Sequence, residues 1–349
     1  MLSKKKVCIV GHFGFGKNLL NGQTIKTKVI TKELERQFGE QQIIKIDTHG
    51  GKKVIIKTFF KLFLVMKKCR NVIILPAHNG VRFFVPIIKI FNKIFHRRIF
   101  YVVIGGWLPD FLRDKDRLSQ QLRSFNAIFV ETRQLQVLLE KQGFRNIVLM
   151  PNCKELEILK EKELIYYHDQ PYKLCTFSRV MKEKGIEDAV RAVQEINNKF
   201  RRIVYTLDIY GQIDENQFHW FKSLQNNFPE YVKYKGAIDY DSSVEVLKNY
   251  FALLFPTHFY TEGIPGTLLD AYAAGVPVIA SNWESCKDIL TDGECGYVYP
   301  FGDLQGLIAI LENIALEPNL ILQLKNNCIK KSGFYLPRNA ILPLSEMLI

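Results

Sequence analysis

The chain alternates short runs of β-branched and other apolar residues with longer amphipathic stretches. In the first half such runs fall at Val7–Val10, Ile43–Ile46, Val72–Leu75, Ile99–Ile104, Ala127–Val130 and Ile147–Met150. Short continuous apolar runs of this kind predict buried strands. Helical stretches lie between them, and Gln23–Phe38 is the clearest. There Ile25, Val29, Leu34 and Phe38 recur at helical spacing, and Gly39 closes the end. The second half repeats the rhythm, with strands predicted at Leu174–Phe177, Ile203–Tyr210, Val232–Tyr234, Ala252–Phe255, Val278–Ala280 and Tyr297–Tyr299. Strand–helix alternation predicts parallel sheets covered on both faces.

The rhythm breaks once. Between Met150 and Lys173 the stretch PNCKELEILKEKELIYYHDQPYK is charged and poor in periodicity. The chain therefore reads as two doubly wound α/β domains in tandem, residues 1–165 and 166–332. A C-terminal segment, 333–349, is expected to pack back on the first domain. Any ligand is expected in the cleft between strand carboxyl ends. A length of 349 residues suits two domains. With 47% hydrophobic and 24% charged residues, the composition excludes a disordered or collagen-like chain. The seven cysteines are scattered, odd in number and never spaced as CxxC. Neither a zinc site nor a disulfide framework is supported, and a reducing cytoplasm fits best. No signal-peptide core and no run of about 18 apolar residues is found, so a soluble or peripheral protein is expected.

Charge is distributed unevenly. Residues 1–150 hold 28 Lys and Arg against 9 Asp and Glu, whereas residues 151–349 hold 20 against 26. No acidic residue lies between Asp47 and Asp110. An anionic partner would meet the first half only. Within it, KKVIIKTFFKLFLVMKKCR (Lys52–Arg70) reads as a basic amphipathic helix. Lys53, Lys57, Lys61 and Lys68 fall on one face of it, with Ile56, Phe59, Phe60 and Phe63 around the sides and back. Such a helix can lie in the interface of an anionic membrane. It can also simply cover the sheet, its lysines reaching water. No motif that reads RNA or DNA accompanies the charge, so nucleic acid is not expected as a partner.

Two segments carry candidate chemistry. FALLFPTHFYTEGIPGTLLDAYAAGVPVIAS (Phe251–Ser281) reads as strand, loop, helix and strand. Glu262 sits in the loop, Gly263 and Gly266 let the backbone approach a ligand, and a helix begins at Thr267. A helix start offers free N–H groups and a positive dipole end, suited to phosphate. Alternatively, Glu262 only favours a helix start and the glycines only turn the chain. In TFSRVMKEKG (Thr176–Gly185), Arg179 and Lys184 lie five apart across a strand–helix loop, ahead of a helix at Ile186–Phe200. Both cations can converge on one anion and stabilise a departing diphosphate without a metal. The plainer reading is two solvated loop charges.

SRVMKEKGIEDAVRA, LDIYG, YKGAI and EGIPGTLLDAYAAGVPVIAS together resemble the C-terminal domain of the family-4 retaining glycosyltransferases, enzymes of the two-domain GT-B fold. The resemblance is strongest over 174–302. In the first half, NGQTIKTKVITKEL resembles that family's first glycine loop and helix, and IFVETRQLQVLLEKQGFRNIVLMPN its segment before the linker. The resemblance implies two Rossmann-like domains facing across a cleft. It implies that Arg179 and Lys184 grip the donor diphosphate and that Glu262 contacts donor-sugar hydroxyls. It further implies that Gly263, Ile264, Pro265, Gly266 and Thr267 hold phosphate through their backbone. Gly211 and the backbone of Gly236, Ala237 and Ile238 fall in its nucleotide-binding motifs, and Gly22 at its loop glycine. Asp270 stands where the family has a ribose-binding glutamate, one methylene shorter. His78, in ILPAHNG, resembles an active-site histidine near the sugar, though it can equally be a satisfied loop histidine.

Three features stand beside this pattern. GHFGFG (Gly11–Gly16) after the first strand lacks GxGxxG spacing, and only Asp47 offers an acidic partner, so a dinucleotide site is weakly supported. Asp114 and Asp116 form a DxD pair within RDKDRL, read as a solvated helix face rather than a metal site. Gly105–Gly106–Trp107 either lines the acceptor side or packs. The resulting expectation is a cytoplasmic, metal-independent, retaining hexosyltransferase without a resident cofactor, peripheral on the inner face of the membrane. Its donor would be a nucleotide-diphospho-sugar, with UDP favoured over GDP, and its acceptor a glycan or lipid-linked glycan. A GT-B nucleotide-sugar epimerase and a non-catalytic partner subunit of another transferase are the alternatives.

Overall fold

A computed structural model describes residues 5–17, 22–50 and 52–349; the side chains of Lys5, Lys6, residues 52–57 and Tyr240 are outside that description. The first domain comprises residues 1–155 and 335–349, the second residues 156–334. The second begins ahead of the expected 165/166 border because the linker already packs on it. Leu159 N–H donates to the Ala273 carbonyl (3.0 Å), and Leu164 and Leu159 are buried.

The first sheet contains β1 (Lys5–Gly11), β2 (Ile43–Asp47), β3 (Cys69–Ile74), β4 (Arg98–Val102), β5 (Ala127–Val130) and β6 (Ile147–Leu149), ordered β2-β1-β3-β4-β5-β6 and all parallel. The second contains β7 (Tyr172–Phe177), β8 (Tyr205–Tyr210), β9 (Val232–Gly236), β10 (Ala252–Phe255), β11 (Val278–Ser281) and β12 (Gly296–Tyr299), ordered β12-β11-β10-β7-β8-β9. It too is parallel throughout. Each predicted strand is present, with ends shifted by a few residues. Helices cover both faces, so most strand residues are buried and read as continuous apolar runs.

The first domain's helices are α1 (Gly22–Phe38), α2 (Lys52–Met66), α3 (His78–Phe95), α4 (Leu108–Leu112), α5 (Asp116–Arg123) and α6 (Arg133–Lys141). On α1, buried Lys26 pairs with buried Glu131 just past β5 and donates to the Val103 carbonyl (3.2 Å), fixing α1 to the carboxyl ends of the strands. The basic helix stops at Met66, short of the predicted Arg70, because Cys69 and Arg70 already belong to β3. Lys68 therefore sits past the helix end, in a turn closed by its N–H on Val65 O (2.8 Å). Lys61 and Lys68 are exposed, while the side chains of Lys53 and Lys57 lie outside the described residues. The segment 335–349 completes this core with Ile341, Leu344 and Leu348, and Asn71 donates to Leu348 O (3.2 Å).

The second domain's principal helices are α7 (Ile186–Phe200), α8 (Phe218–Gln225), α9 (Ser243–Leu247), α10 (Gly266–Ala273) and α11 (Leu304–Leu316). Helix α7 presents Ile186, Ala189, Val190, Val193 and Ile196 to the sheet, a helical period of apolar positions. All seven cysteines are free and buried. Among the described residues no single helix is long and apolar enough to cross a membrane.

Candidate functional site

Strand order reverses once in each sheet. In the second, β7 leads outward to β8 and β9, and the chain then returns to lay β10 on β7's other side. Loops leaving two such strands diverge above and below the sheet and open a crevice at their carboxyl ends, where α/β proteins take their ligands. Arg179 and Lys184 follow β7, and Glu262 and the start of α10 follow β10. Arg179, Lys184, Glu262 and the start of α10 thus gather at this switch point.

Lys184 donates to Glu262 across it, Nζ to Oε2 at 2.6 Å, with the two side chains 15% and 19% exposed. The ammonium also lies 5.0 Å from the Phe259 ring centroid and 5.6 Å from that of Phe255. A charge-assisted bond on the margin of solvent, flanked by aromatic faces, is screened less than a surface pair. Arg179 is more exposed, and its Nη1 lies 3.4 Å from Asp214 Oδ2. Each cation thus rests on a carboxylate of its own.

The loop geometry depends on residues that the sequence does not single out. Gly185 adopts φ +68°, and a Cβ there would lie 1.8 Å from the Pro256 carbonyl oxygen. Only glycine lets the loop after β10 touch the start of α7. Buried Thr257 ties the same junction: its hydroxyl accepts from Phe259 N–H (3.1 Å), and its carbonyl accepts from Ser281 Oγ (2.7 Å). His258 N–H donates to Glu183 O (2.8 Å), and His258 Nε2 lies 2.9 Å from Asp188 Oδ2. The signal for these contacts was the FPTH run before Glu262, whose partners lie about 70 residues away.

Gly211 is built in by shape. At φ +135° its Cβ would fall 1.7 Å from the Ser178 carbonyl oxygen. Its N–H donates to Gly236 O (2.9 Å) and its carbonyl accepts from Tyr234 Oη (2.9 Å). With both polar groups engaged, Gly211 supports the loop that carries Arg179. Gly236 has φ +80° with open space where a Cβ would stand; Ala237 is exposed and Ile238 half-buried. Helix α10 starts behind Pro265 without a side-chain cap, and Leu268 N–H donates to the Pro265 carbonyl (3.1 Å). Around it Gly263, Gly266 and Thr267 are half-buried and Ile264 is buried. Gly266 has open space around it, and the buried Thr267 hydroxyl finds no partner among the described residues. Asp270, inside α10, is only 4% exposed.

The first sheet reverses between β1 and β3. There His78 opens α3 and stacks on Trp107, ring centroids 3.8 Å apart, with Phe111 edge-on at 5.5 Å. Trp107 is itself held by Nε1 donating to Ile104 O (2.7 Å). Burial, and then the charge of Arg82, lower the His78 pKa. A cavity of about 330 Å³ adjoins it, lined among others by His12, Gln23, Thr48 and Asn79. His12 Nδ1 lies 2.7 Å from Thr24 Oγ1, and its Nε2 lies 3.0 Å from His49 Nδ1. Asp47 accepts from the N–H groups of Phe13 (2.9 Å), Phe15 (3.0 Å) and His49 (2.9 Å). Its carboxylate is occupied by backbone N–H groups of the loop after β1 and of its own loop, and is not presented to a dinucleotide ribose. Gly22, the first residue of α1, is exposed with open space around it. Asp114 and Asp116 are exposed, and among the described residues no group of three or more His, Cys, Asp or Glu is placed to hold a metal.

Two parallel-sheet Rossmann-like domains of this topology are the GT-B fold. Solved structures with the same fold across 98% of this chain include Anabaena HepE in complex with UDP and glucose (TM-score 0.74, 13% identical, 98% of that chain). Another is sucrose-phosphate synthase from Thermosynechococcus elongatus (TM-score 0.75, 14% identical, 97% of that chain). Residues 160–332 match the model of the family of glycosyl transferases group 1. Curated relatives include the capsular polysaccharide biosynthesis glycosyltransferase CapM of Staphylococcus aureus, 27% identical over 41% of this chain and 36% of that protein. A second is the 2-deoxystreptamine N-acetyl-D-glucosaminyltransferase of Niallia circulans, 24% identical over 61% of this chain and 54% of that protein. The chain spans about a third of the length of the first curated relatives it matches.

Proposed function

We propose that this chain is a retaining glycosyltransferase that moves a hexose from a nucleotide-diphospho-sugar to a hydroxyl of a glycan acceptor. The observation that carries the reading is the Lys184–Glu262 pair at the β7/β10 switch point, beside the uncapped start of α10. A donor diphosphate seated there would draw Lys184 from Glu262 and leave that carboxylate for sugar hydroxyls. Arg179, Lys184 and the α10 N–H groups would take up the charge of the leaving diphosphate, the work a divalent metal does elsewhere. Gly236–Ile238 would meet the base and Asp270 the ribose. The acceptor hydroxyl would attack on the face the leaving group vacates and pass its proton to a phosphate oxygen. His78 keeps the role near the sugar, and Gly22 the loop-glycine place, that the family resemblance implies. The capsular polysaccharide transferase among the relatives supports an acceptor in bacterial surface polysaccharide synthesis, which would be lipid-linked, and the UDP-bound fold neighbour supports UDP.

A thermal-shift panel of sugar nucleotides tests the donor, because a ligand that binds only the folded state raises Tm. The expected result is a shift with a UDP-sugar, transfer that survives EDTA, and a product whose anomeric configuration matches the donor by NMR. No shift with any sugar nucleotide would overturn the reading. An isomerised donor without acceptor would replace it by an epimerase, and activity lost to EDTA and restored by Mn²⁺ would overturn the metal-independent step.

A further inference from the structure

We propose that the outer face shared by α2 and α3 docks on an anionic phospholipid bilayer. The two helices pack through Phe59 on Phe91 (4.9 Å between centroids) and Phe63 on Phe91 and Phe95 (5.2 Å each). Leu62, Met66 and Ile88 point into the core beneath. Those contacts use the apolar positions that hold the helices to the sheet, yet others stay outside. Phe60 is 63% exposed, Leu64 57%, Ile90 60% and Ile94 63%. Phe60 and Leu64 stand four apart on α2, and Ile90 and Ile94 four apart on α3, so each pair forms a stripe along its helix. Phe60 adjoins Phe59, Leu64 adjoins Phe63, and Ile90 adjoins Phe91. The two stripes therefore flank the same helix–helix seam. Single exposed apolar residues are ordinary, but four long ones on two adjacent helices mark an interaction surface.

The charges around the stripes select the partner. Lys61, Lys67, Lys68 and Lys93 are exposed, and neither helix carries an acidic residue. Lys67 extends over the Phe63 ring (5.1 Å to the centroid), its stem on apolar surface and its ammonium at the rim, as a snorkelling side chain does. A second copy of this face would bring two sets of lysines together with nothing to neutralise them. A nucleic acid would neutralise the lysines but leave Phe60, Leu64, Ile90 and Ile94 in water. An anionic bilayer satisfies both, with acyl chains for the stripes and headgroup phosphates for the rim. Each rim cation at such a surface strengthens binding by roughly fivefold, and salt removes that gain. Relative to the sequence reading, contact shifts from the lysine face of one helix to a two-helix apolar face with a cationic border.

The experiment is co-sedimentation of the full chain with vesicles of phosphatidylcholine alone or mixed with phosphatidylglycerol, at low and high salt. The expected result is binding only to the anionic vesicles, weakened by salt. Phe60→Ser/Leu64→Ser and Ile90→Ser/Ile94→Ser should each lower it at least tenfold, and Lys61→Glu/Lys93→Glu by a similar factor, with circular dichroism and Tm unchanged. Equal binding by the parent and both serine variants would overturn the proposal, as would no binding to anionic vesicles. Dimerisation in sedimentation equilibrium that the serine variants abolish would give the face to a second copy instead. None of these readouts uses a sugar nucleotide, so failure here leaves the proposed transferase reading standing, and the converse holds.

Discussion

The two sheets reverse strand order in the same way, but their switch points carry different chemistry. At β7/β10 the loops supply Lys184, Arg179 and Glu262, an uncapped helix start, and a backbone crossing at Gly185 that admits no side chain. Around β1/β3 the loops after β1 and β3 supply His12 and His78, with His49 from the loop after β2, a stacked Trp107 from the loop after β4 and a cavity of about 330 Å³. Shared topology accounts for where each site lies and for nothing about what it binds. The second switch point has two fixed cations and a helix start without a side-chain cap, groups suited to a diphosphate. The first has stacking and hydrogen-bonding ring groups instead.

The largest effects should come from breaking the charged side of this contrast. Glu262→Ala is expected to abolish transfer while leaving Tm near that of the parent, since the half-buried loop carboxylate does not fill the core. Near-normal kcat in that variant would remove Glu262 from the chemistry. Lys184→Ala and Arg179→Ala should each lower kcat by about 10²–10³, the scale of losing one preorganised donor to a developing anion. If the two variants lose equally in KM with kcat unchanged, the cations bind the ground state only. His78→Ala, on the other side of the comparison, should cost less in kcat than either.

Backbone differences should appear as stability. Gly185→Ala places a methyl 1.8 Å from a backbone oxygen at φ +68°, so the junction must open. A loss of roughly 3 kcal/mol or more is expected, above the 1–3 kcal/mol of a strained conformation alone. In the first domain, in the loop after β4, Gly105 also has positive φ (+78°), but its Cβ would meet only Trp107 Cδ1 at an ordinary 3.5 Å. Gly105→Ala should cost about 1–2 kcal/mol. Urea denaturation of the two variants decides; equal losses would show that φ rather than the crossing sets the cost. Asp270→Ala should weaken nucleoside diphosphate binding by roughly 1–3 kcal/mol if its buried carboxylate reaches the ribose. Unchanged affinity with a lowered Tm would confine Asp270 to the interior of α10.

The strands were legible because a sheet buried on both faces writes itself as continuous apolar runs, and the errors fall where tertiary structure intervenes. The run at Ile203 opens as strand only at Tyr205, because Arg201 takes φ +53° to end α7 and Ile203 stays exposed. Lys68 and Arg70 continue a helical charge pattern, yet burying Cys69 against β1 commits that stretch to β3. Glu262 and the glycines before α10 were legible because they sit within a few residues of one another. Gly185 against Pro256, Thr257 under the loop and His12 against His49 were not, because each depends on a contact between segments dozens of residues apart. The exposed stripes on α2 and α3 were half legible: their apolar residues are plain in the sequence, but only packing shows which of them the core leaves outside.

The smallest expected effect concerns protons at the first switch point. Burial, and then the neighbouring His49, lower the His12 pKa, while Asp47 partly opposes them. Burial, and then Arg82, lower that of His78. Between the lowered value and the ordinary one near 6.5, the unfolded chain holds more protons than the folded chain. Stability should therefore rise with pH through that window, be fully present above it, and fall away as acid reaches the folded-state values. Histidine NMR titration should place both residues below 6.5. Arg82→Gln removes the like charge beside His78 and should move its midpoint upward while His12 stays where it was. A His78 midpoint indifferent to Arg82 would leave burial under Trp107 as the sole cause. Movement of both histidines together would mean that the ring stack and the His12–His49 pair titrate as one unit across the cavity between them.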